Sequence, residues 1–145
     1  MIKYFFDLDY YRYSSVFYGL GTFSCLKNAR KKQKQAETQP GFRDNPNNFK
    51  ITRCRVKFDD NAVVKKSEAV LYCVFLEYEE SIEGEMCETF IHFGYYATES
   101  EAQEVLEYKK KHSREGKKHP EGFEIEPIHV DNYNAWHKGF VPWDE

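Results

Sequence analysis

Residues 46–56, PNNFKITRCRV, and residues 120–130, PEGFEIEPIHV, share the pattern Pro-x-x-Phe-x-Ile-x-x-Cys/Ile-x-Val. Earlier segments match in the same order, with Gly21 corresponding to Gly94 and Tyr4 to Tyr72. A repeat that keeps its order over about 55 residues indicates a duplicated structural unit. We therefore expect a single compact domain, residues 1–145, made of two repeats, residues 1–60 and 68–141.

Each repeat has the pattern of two strands, one helix and a third strand. Residues 3–10 alternate in the manner of a half-buried strand. This alternation places four apolar side chains on one face, namely Tyr4, Phe6, Leu8 and Tyr10. Residues 16–23, 70–78 and 88–96 are rich in aromatic and β-branched residues, as strands are. The predicted fold is α+β: two pseudo-symmetric strand-strand-helix-strand repeats forming a mainly antiparallel sheet core, with two helices packed on it.

The two predicted helices differ in character. Thr98-Glu-Ser-Glu101 forms a capping box at the start of the second helix. The first helix begins near Ser24 and is polar and basic on nearly every side. We therefore expect the first helix to be the less buried of the two.

The third strand of each repeat changes phase. Phe49 and Ile51 have odd numbers, whereas Cys54 and Val56 have even ones, and residues 123–130 repeat this shift. A regular strand would turn the second pair to the opposite face. A β-bulge, or a strand that passes from one sheet to another, resolves the conflict. The alternative is a strand buried on both faces.

Charge is segregated along the chain although the net charge is only −3. Residues 1–56 carry a net charge of +7, residues 57–108 a net charge of −10, and the remainder is neutral. Such asymmetry suggests an interaction surface, or attraction between the halves. No apolar run reaches the ~20 residues of a membrane span, and the N-terminus is too short and too acidic for a signal peptide. We expect a cytoplasmic protein with no membrane association.

The sequence contains no recognisable catalytic, metal-binding or cofactor-binding motif. The four cysteines lack metal-binding spacing, so we expect free and mostly buried thiols. The five histidines form no HExxH pattern, and neither a phosphate-binding loop nor a nucleophile motif is present. We therefore expect no enzyme activity, no catalytic residues, no metal site and no cofactor.

The segment 77–88 carries six carboxylates and no cation, and it contains a five-residue insertion that only the second repeat has. We predict that it binds a cationic partner. The predicted partner-binding residues are Glu77, Tyr78, Glu79, Glu80, Glu83, Glu85 and Glu88. The same composition is also typical of a solvated hairpin tip that maintains solubility.

Two basic segments, residues 27–34 and 109–118, offer a different interpretation, since clustered cations bind phosphates. The first segment lacks the aromatic residues on which single-stranded binders stack bases. Solvated helix and loop surfaces are therefore the better interpretation, and nucleic acid is an unlikely partner. In the aromatic tail, we expect Trp136 to pack on the domain, while Trp143 could instead anchor a partner.

Pro40-Gly-Phe-Arg-Asp44 followed by Pro46-x-x-Phe49-x-Ile51 resembles a motif of small bacterial domains of uncharacterised function. The second repeat keeps Pro120-Glu-Gly-Phe-Glu-Ile125 and ends with Trp136-x-x-Gly139-Phe140, which resembles the ending of the same family. The resemblance implies a tandem pair of strand-strand-helix-strand units, and a role as an immunity protein of a toxin system. Each repeat lacks one motif, so the two repeats together carry one full set.

The function expected from these features is that of an immunity protein. It would bind and neutralise a cognate bacterial toxin domain, such as a nuclease with a basic surface, by steric and electrostatic occlusion. The alternative is a nucleic-acid-binding or regulatory module that uses residues 27–34 and 109–118. A third interpretation is an adaptor within a phage or housekeeping assembly.

Overall fold

The computed structural model describes residues 1–13 and 16–141, which form the expected α+β fold. Three strands and a helix come from the first repeat: β1 (Ile2–Tyr11), β2 (Phe17–Phe23), α1 (Leu26–Ala36) and β3 (Phe49–Lys57). The second repeat gives β4 (Val70–Ile82), β5 (Glu85–Tyr96), α2 (Glu99–His112), α3 (Arg114–Lys118) and β6 (Phe123–His129). In the first repeat a single 3-10 turn, Phe42–Asp44, lies in the position of the short helix α3.

The repeated signature has the same local structure in both copies. Each begins with one turn of 3-10 helix whose first residue is proline, at Pro46–Asn48 and Pro120–Gly122. Proline suits this position because its φ is fixed near the helical value and its missing N–H is not needed there. The strand then starts at the phenylalanine, Phe49 in one copy and Phe123 in the other.

Two three-stranded antiparallel sheets result, with strand orders β2-β1-β3 and β5-β4-β6. In both sheets the hairpin register shifts beside a matched glycine, Gly21 in β2 and Gly94 in β5. Both glycines have positive φ, +136° and +110°, as a bulged residue often requires. The aromatic ring two residues further on, Phe23 or Tyr96, lies over the glycine in each copy. The repeat alignment therefore reflects a shared bulge.

The chain divides into two compact units whose boundaries differ from those of the repeats. The first unit contains residues 2–55, 61–69 and 129–141. The second unit contains Met1 and residues 56–60 and 70–128. Each division falls near the end of a third strand, after Arg55 in β3 and after Ile128 in β6.

The predicted phase shift lies just before these divisions. In β3, Phe49 and Ile51 are half-buried, Thr52 and Arg53 are both exposed, and burial resumes at Cys54. In β6 the exposed pair is Glu126 and Pro127. The two consecutive exposed residues rule out the alternative of a strand buried on both faces.

Two motifs from different repeats meet in the first unit. Phe42 and Phe140 pack with ring centroids 4.9 Å apart, and both rings contact Tyr10. The Phe140 amide donates a hydrogen bond of 2.9 Å to the Pro40 carbonyl. Trp136 stacks on Tyr18 at 4.5 Å, which confirms its expected packing, whereas Trp143 lies outside the described residues. The tail supplies the aromatic ending that the first repeat lacks.

The core of the second unit forms between its sheet and α2. Val74 of β4 packs against Ala102 and Leu106 of the helix, and Phe123 and Ile125 of β6 complete the cluster. The predicted helix cap is present, since the Thr98 hydroxyl accepts a hydrogen bond from the Glu101 amide at 3.1 Å.

The burial of β1 differs from expectation at its start. Leu8 and Tyr10 are buried, and Phe6 packs beside them, as predicted. Tyr4, however, is 41% exposed, and the neighbouring Phe5 is fully buried. The strand therefore buries apolar side chains on both faces, which a simple alternation rule does not anticipate.

The expectation that α1 is the less buried helix is wrong. Helix α1 buries Ala29, Lys32 and Ala36, whereas α2 buries only Ala102 and Leu106. Lys32 is 1% exposed, and its ammonium group donates a 2.8 Å hydrogen bond to the Tyr133 carbonyl. A lysine thus occupies one position of the buried stripe of the helix. The stripe therefore cannot be recognised as apolar from the sequence.

The thiols match expectation only in part. None of the four cysteines forms a disulfide bond, but only Cys73 is buried, and the other three are half-buried. None of the described helices is long and apolar enough to cross a membrane.

Candidate functional site

The acidic segment is a β-ribbon, because the strands expected at residues 70–78 and 88–96 extend further toward one another than the sequence indicated. Strands β4 and β5 remain paired up to Ile82 and Glu85, so only Glu83 and Gly84 form the turn. Both turn residues have positive φ, +53° and +84°, as expected for a two-residue hairpin turn whose twist matches that of its strands. The inserted residues therefore lengthen both strands, and their side chains have fixed orientations.

Strand pairing divides the predicted binding residues between two faces, because residues opposite one another in an antiparallel pair point to the same side. Glu79 lies opposite Glu88, and Glu77 lies opposite Phe90. Glu77, Glu79 and Glu88 therefore share one face, which we call the acidic face. Glu80, opposite Cys87, points to the other side together with Tyr78.

A fourth carboxylate reaches the acidic face from the neighbouring strand β6. Phe123 and Ile125 point toward α2, so Glu124 between them points to the opposite side of the sheet. A hydrogen bond with Glu88 raises the pKa of the Glu77 carboxyl, and burial and the charges of Glu88 and Glu124 raise it further. The acidic face thus concentrates negative charge, and the ion pairs found within residues 1–13 and 16–141 do not involve these carboxylates.

Apolar side chains accompany these carboxylates. Phe90 is 40% exposed, and its ring lies 5.0 Å from the ring of Phe75. Met86, opposite Ser81 near the turn, is 66% exposed. An exposed aromatic ring and a flexible thioether beside a charge cluster are typical of protein-binding surfaces.

The other face of the ribbon is partly engaged within its own unit. The ring of Tyr78 stacks on His119 with centroids 3.8 Å apart and nearly parallel planes. Ile82 lies opposite Glu85 and is exposed, and Glu83 lies in the turn. The structure therefore brings together three of the seven predicted residues and places the other four elsewhere on the ribbon.

The two basic segments occupy helical surfaces. On α1, the exposed cations are Lys27, Arg30, Lys31 and Lys34. Lys31 lies 5.3 Å from the centroid of the Tyr133 ring. Residues 109–118 span the end of α2 and the whole of α3, where the basic side chains lie near the negative end of a helix dipole.

Sequence reasoning missed Glu124, Phe90 and Met86 as members of the surface. The alternation of β6 places Glu124 outward, but its position beside Glu77 depends on the strand order β5-β4-β6. Phe90 and Met86 could have been found by pairing the ribbon from its Glu83-Gly84 turn, which fixes the register.

Comparisons with known proteins do not identify the chain. No protein-family model matches it, and neither a curated protein nor a solved structure matches it significantly. The resemblance carried by the Pro-Gly-Phe and Trp-x-x-Gly-Phe motifs therefore stays an expectation. Among the described residues, no cluster of three or more histidine, cysteine or carboxylate side chains could hold a metal ion.

Proposed function

We propose that this chain is an immunity protein that binds a basic surface of a cognate bacterial toxin domain through the acidic face. The observation that carries the proposal is the convergence of Glu77, Glu79 and Glu88 with Glu124 on one side of a ribbon that only the second repeat extends. A partner that supplies cations relieves the repulsion among these groups, so its binding gains energy that the free protein lacks.

The mechanism is occlusion. Phe90 and Met86 provide apolar contact area beside the carboxylates, and aromatic residues often dominate the binding energy of an interface. The negative charge accelerates encounter with a basic cleft, such as the nucleic-acid groove of a nuclease. A toxin whose groove is covered in this way cannot admit its substrate.

The binding site is tested by charge reversal on each face separately. The test variant carries Glu77→Lys, Glu79→Lys and Glu88→Lys, and the matched control carries Glu80→Lys, Glu83→Lys and Glu85→Lys. Both change the net charge equally. We expect the test variant to slow association with the toxin domain about 10- to 1,000-fold, and the control to have a much smaller effect. Equal effects of the two variants would assign binding to net charge alone and refute the site.

The class of function is tested in cells with the product of the adjacent gene as the partner. We expect that product to arrest growth when expressed alone, and co-expression of this chain to restore growth. An adjacent product that is harmless, or whose toxicity this chain does not relieve, would reject the immunity function whatever the ribbon binds.

The alternative function is nucleic-acid binding, and the observation favouring it is the exposed row of cations on α1, which includes Lys27, Arg30 and Lys34. Binding through phosphates would weaken steeply with salt, with a slope set by the number of contacts. Titration of a fluorescent oligonucleotide at low salt measures this directly. The absence of binding under those conditions would eliminate the alternative.

A further inference from the structure

Strand β5 lies at the edge of its sheet, whose strand order is β5-β4-β6. Within residues 1–13 and 16–141, β4 is the one strand that pairs with it. An edge strand exposes backbone groups that another strand can bind, so proteins usually shorten such edges or interrupt them with lysine, proline or a bulge. Strand β5 has 12 residues with neither lysine nor proline, and its bulge lies beside Gly94, far from the turn. The half near the turn therefore keeps an edge that can pair.

The register identifies which backbone groups of β5 point outward. In an antiparallel pair, residues that bond to the opposite strand alternate with residues whose N–H and C=O groups point away from it. A two-residue turn closes with a hydrogen bond between its flanking residues, here Ile82 and Glu85. Counting from Glu85, every second residue bonds to β4, so the backbone groups of Met86 and Glu88 point outward.

The position of Gly122 confirms this count. A Cβ on Gly122 would lie 2.3 Å from the carbonyl oxygen of Glu77, so that carbonyl faces the segment just before β6 and not β5. Glu77 lies opposite Phe90, and the count from the turn requires this pair to be non-bonded. In the described part of the chain, no backbone hydrogen bond from outside the hairpin engages Met86 or Glu88.

The charge of the acidic face selects the strand that can bind this edge. Met86 and Glu88 are two positions apart and are both exposed on the acidic face. A second copy of β5 would bring its own glutamates to this face, and like charges across a strand pair are destabilising. A strand with lysine or arginine opposite these positions pairs with the carboxylates instead, and the aliphatic part of a lysine covers the Met86 side chain.

We propose, on the basis of the function proposed above, that β5 binds an extended segment of the toxin domain as a fourth, antiparallel strand of the sheet. The segment carries lysine or arginine at alternate positions, and these side chains lie on the acidic face. Each residue opposite Met86 or Glu88 exchanges both of its backbone hydrogen bonds with that residue. The partner is thus recognised by its backbone as well as by its charge.

Two synthetic peptides test the backbone contacts on the full, unmodified chain. Both alternate lysine with valine, and both carry an N-methyl group on every second residue. The first peptide is methylated on its valine nitrogens, which face away from β5, and the second on its lysine nitrogens, which face it. We expect the first peptide to bind at least tenfold more tightly at low salt, as measured by fluorescence anisotropy, because the second leaves outward groups of β5 unpaired. Equal affinities, or no binding of either peptide at about 1 mM, would overturn the proposal.

Hydrogen exchange locates the contact. In the protein alone, the amides of Met86 and Glu88 should exchange much faster than the amide of Cys87, which bonds to β4. The first peptide should slow exchange at Met86 and Glu88 at least tenfold, and unchanged exchange there would overturn the proposal. Protection that is present without peptide and grows with protein concentration would identify a second copy as the occupant, which would equally overturn it.

A pair of variants tests the same contact with the toxin domain encoded by the adjacent gene. Met86→Pro removes one outward N–H and keeps the bonds to β4, since proline is tolerated where an edge N–H faces solvent. We expect it to bind the toxin domain at least tenfold more weakly than the matched control Met86→Ala. Equal binding of the two variants to a toxin domain that still responds to charge reversal on the acidic face would overturn strand addition and leave the proposed function intact.

The peptide comparison needs neither a variant nor the toxin domain. It decides the matter even if Met86→Pro fails to fold. Its outcome also holds whether or not the product of the adjacent gene is toxic, so failure of strand addition and failure of the immunity function are distinguishable.

Discussion

The pKa of Asp9 lies well above the ordinary value for an aspartate. Burial raises the pKa of its carboxyl to about 7, and the charge of Asp7 adds to this effect while that of Lys50 opposes it. The folded protein thus holds a proton on Asp9 between about pH 4 and pH 7 that the unfolded chain has lost. The free energy of unfolding therefore falls as the pH rises through this window.

Replacement of Asp9 tests this direction of the pH dependence of stability. We expect Asp9→Asn to raise the free energy of unfolding by about 1–3 kcal/mol at pH 8 and to have little effect at pH 4. Urea denaturation across the pH range provides the measurement. Asp60→Asn is the control of opposite sign, because the N-terminal ammonium group lowers the pKa of Asp60. A gain in stability at pH 4 as large as that at pH 8 would contradict the assignment.

Gly139 is a second residue with a specific prediction, because a side chain there has no room. Its φ is +72°, and an added Cβ would lie 2.1 Å from the carbonyl oxygen of Pro40. At Gly84 the φ is +84°, but a Cβ would meet no atom within 4 Å. Gly84→Ala should therefore cost only the ~1–2 kcal/mol of left-handed backbone strain. Gly139→Ala should cost about 2 kcal/mol more, as thermal unfolding of both variants would show.

At the scale of the element, the binding surface proposed on the β4–β5 ribbon carries a cost in stability. Glu79 and Glu88 are directly opposite one another, and like charges in this position destabilise a strand pair. We expect Glu79→Lys to stabilise the protein by about 0.5–1 kcal/mol at low salt while weakening partner binding. Thermal unfolding should also show that added salt stabilises the original protein more than the variant. A loss of stability at low salt would exclude the expected repulsion.

Elements differ in how far the sequence predicts them. The Pro-x-x-Phe signature marks a 3-10 turn and a strand start in both copies, because proline and the spacing of apolar residues act locally. The burial of α1 could not be predicted in this way. Its buried Lys32 donates a hydrogen bond to the carbonyl of Tyr133, which lies 101 positions away in the sequence. The acidic face is an intermediate case. Its register follows from the turn, but Glu124 joins it only through the strand order.

At the scale of the whole molecule, the C-terminal segment 129–141 belongs to the same unit as β1, β2 and α1. Asp131 accepts hydrogen bonds from the amide and the hydroxyl of Ser24, at 2.9 and 2.6 Å, just before α1 begins. A carboxylate at this end of the helix also complements its dipole. The tail thus contributes both hydrogen bonds to the residue that precedes the N-cap of α1 and aromatic core contacts, and the division into two repeats predicts neither.

Truncation tests this dependence. Removal of the chain after Ile128 should expose the apolar cluster around Tyr10 and Phe42, lower Tm strongly or abolish the cooperative transition, and increase binding of a hydrophobic dye. Truncation after Val141 is the matched control and should preserve the transition. An undiminished Tm after the longer truncation would show that the tail contacts contribute little to stability.

Phe140 packs against residues of the first repeat but is synthesised long after them, and this order affects folding during translation. At roughly 5–20 residues per second, about 4–15 s separate the synthesis of β3 from that of the tail. Throughout this interval the aromatic side chains of β1 and β2 lack their final contacts, so the first unit to be synthesised cannot be the first to complete its folding. Chains released before the tail is synthesised would leave these aromatic side chains exposed, and proteases and chaperones recognise such surfaces. The arrangement therefore makes folding of the N-terminal half depend on the synthesis of residues 129–141.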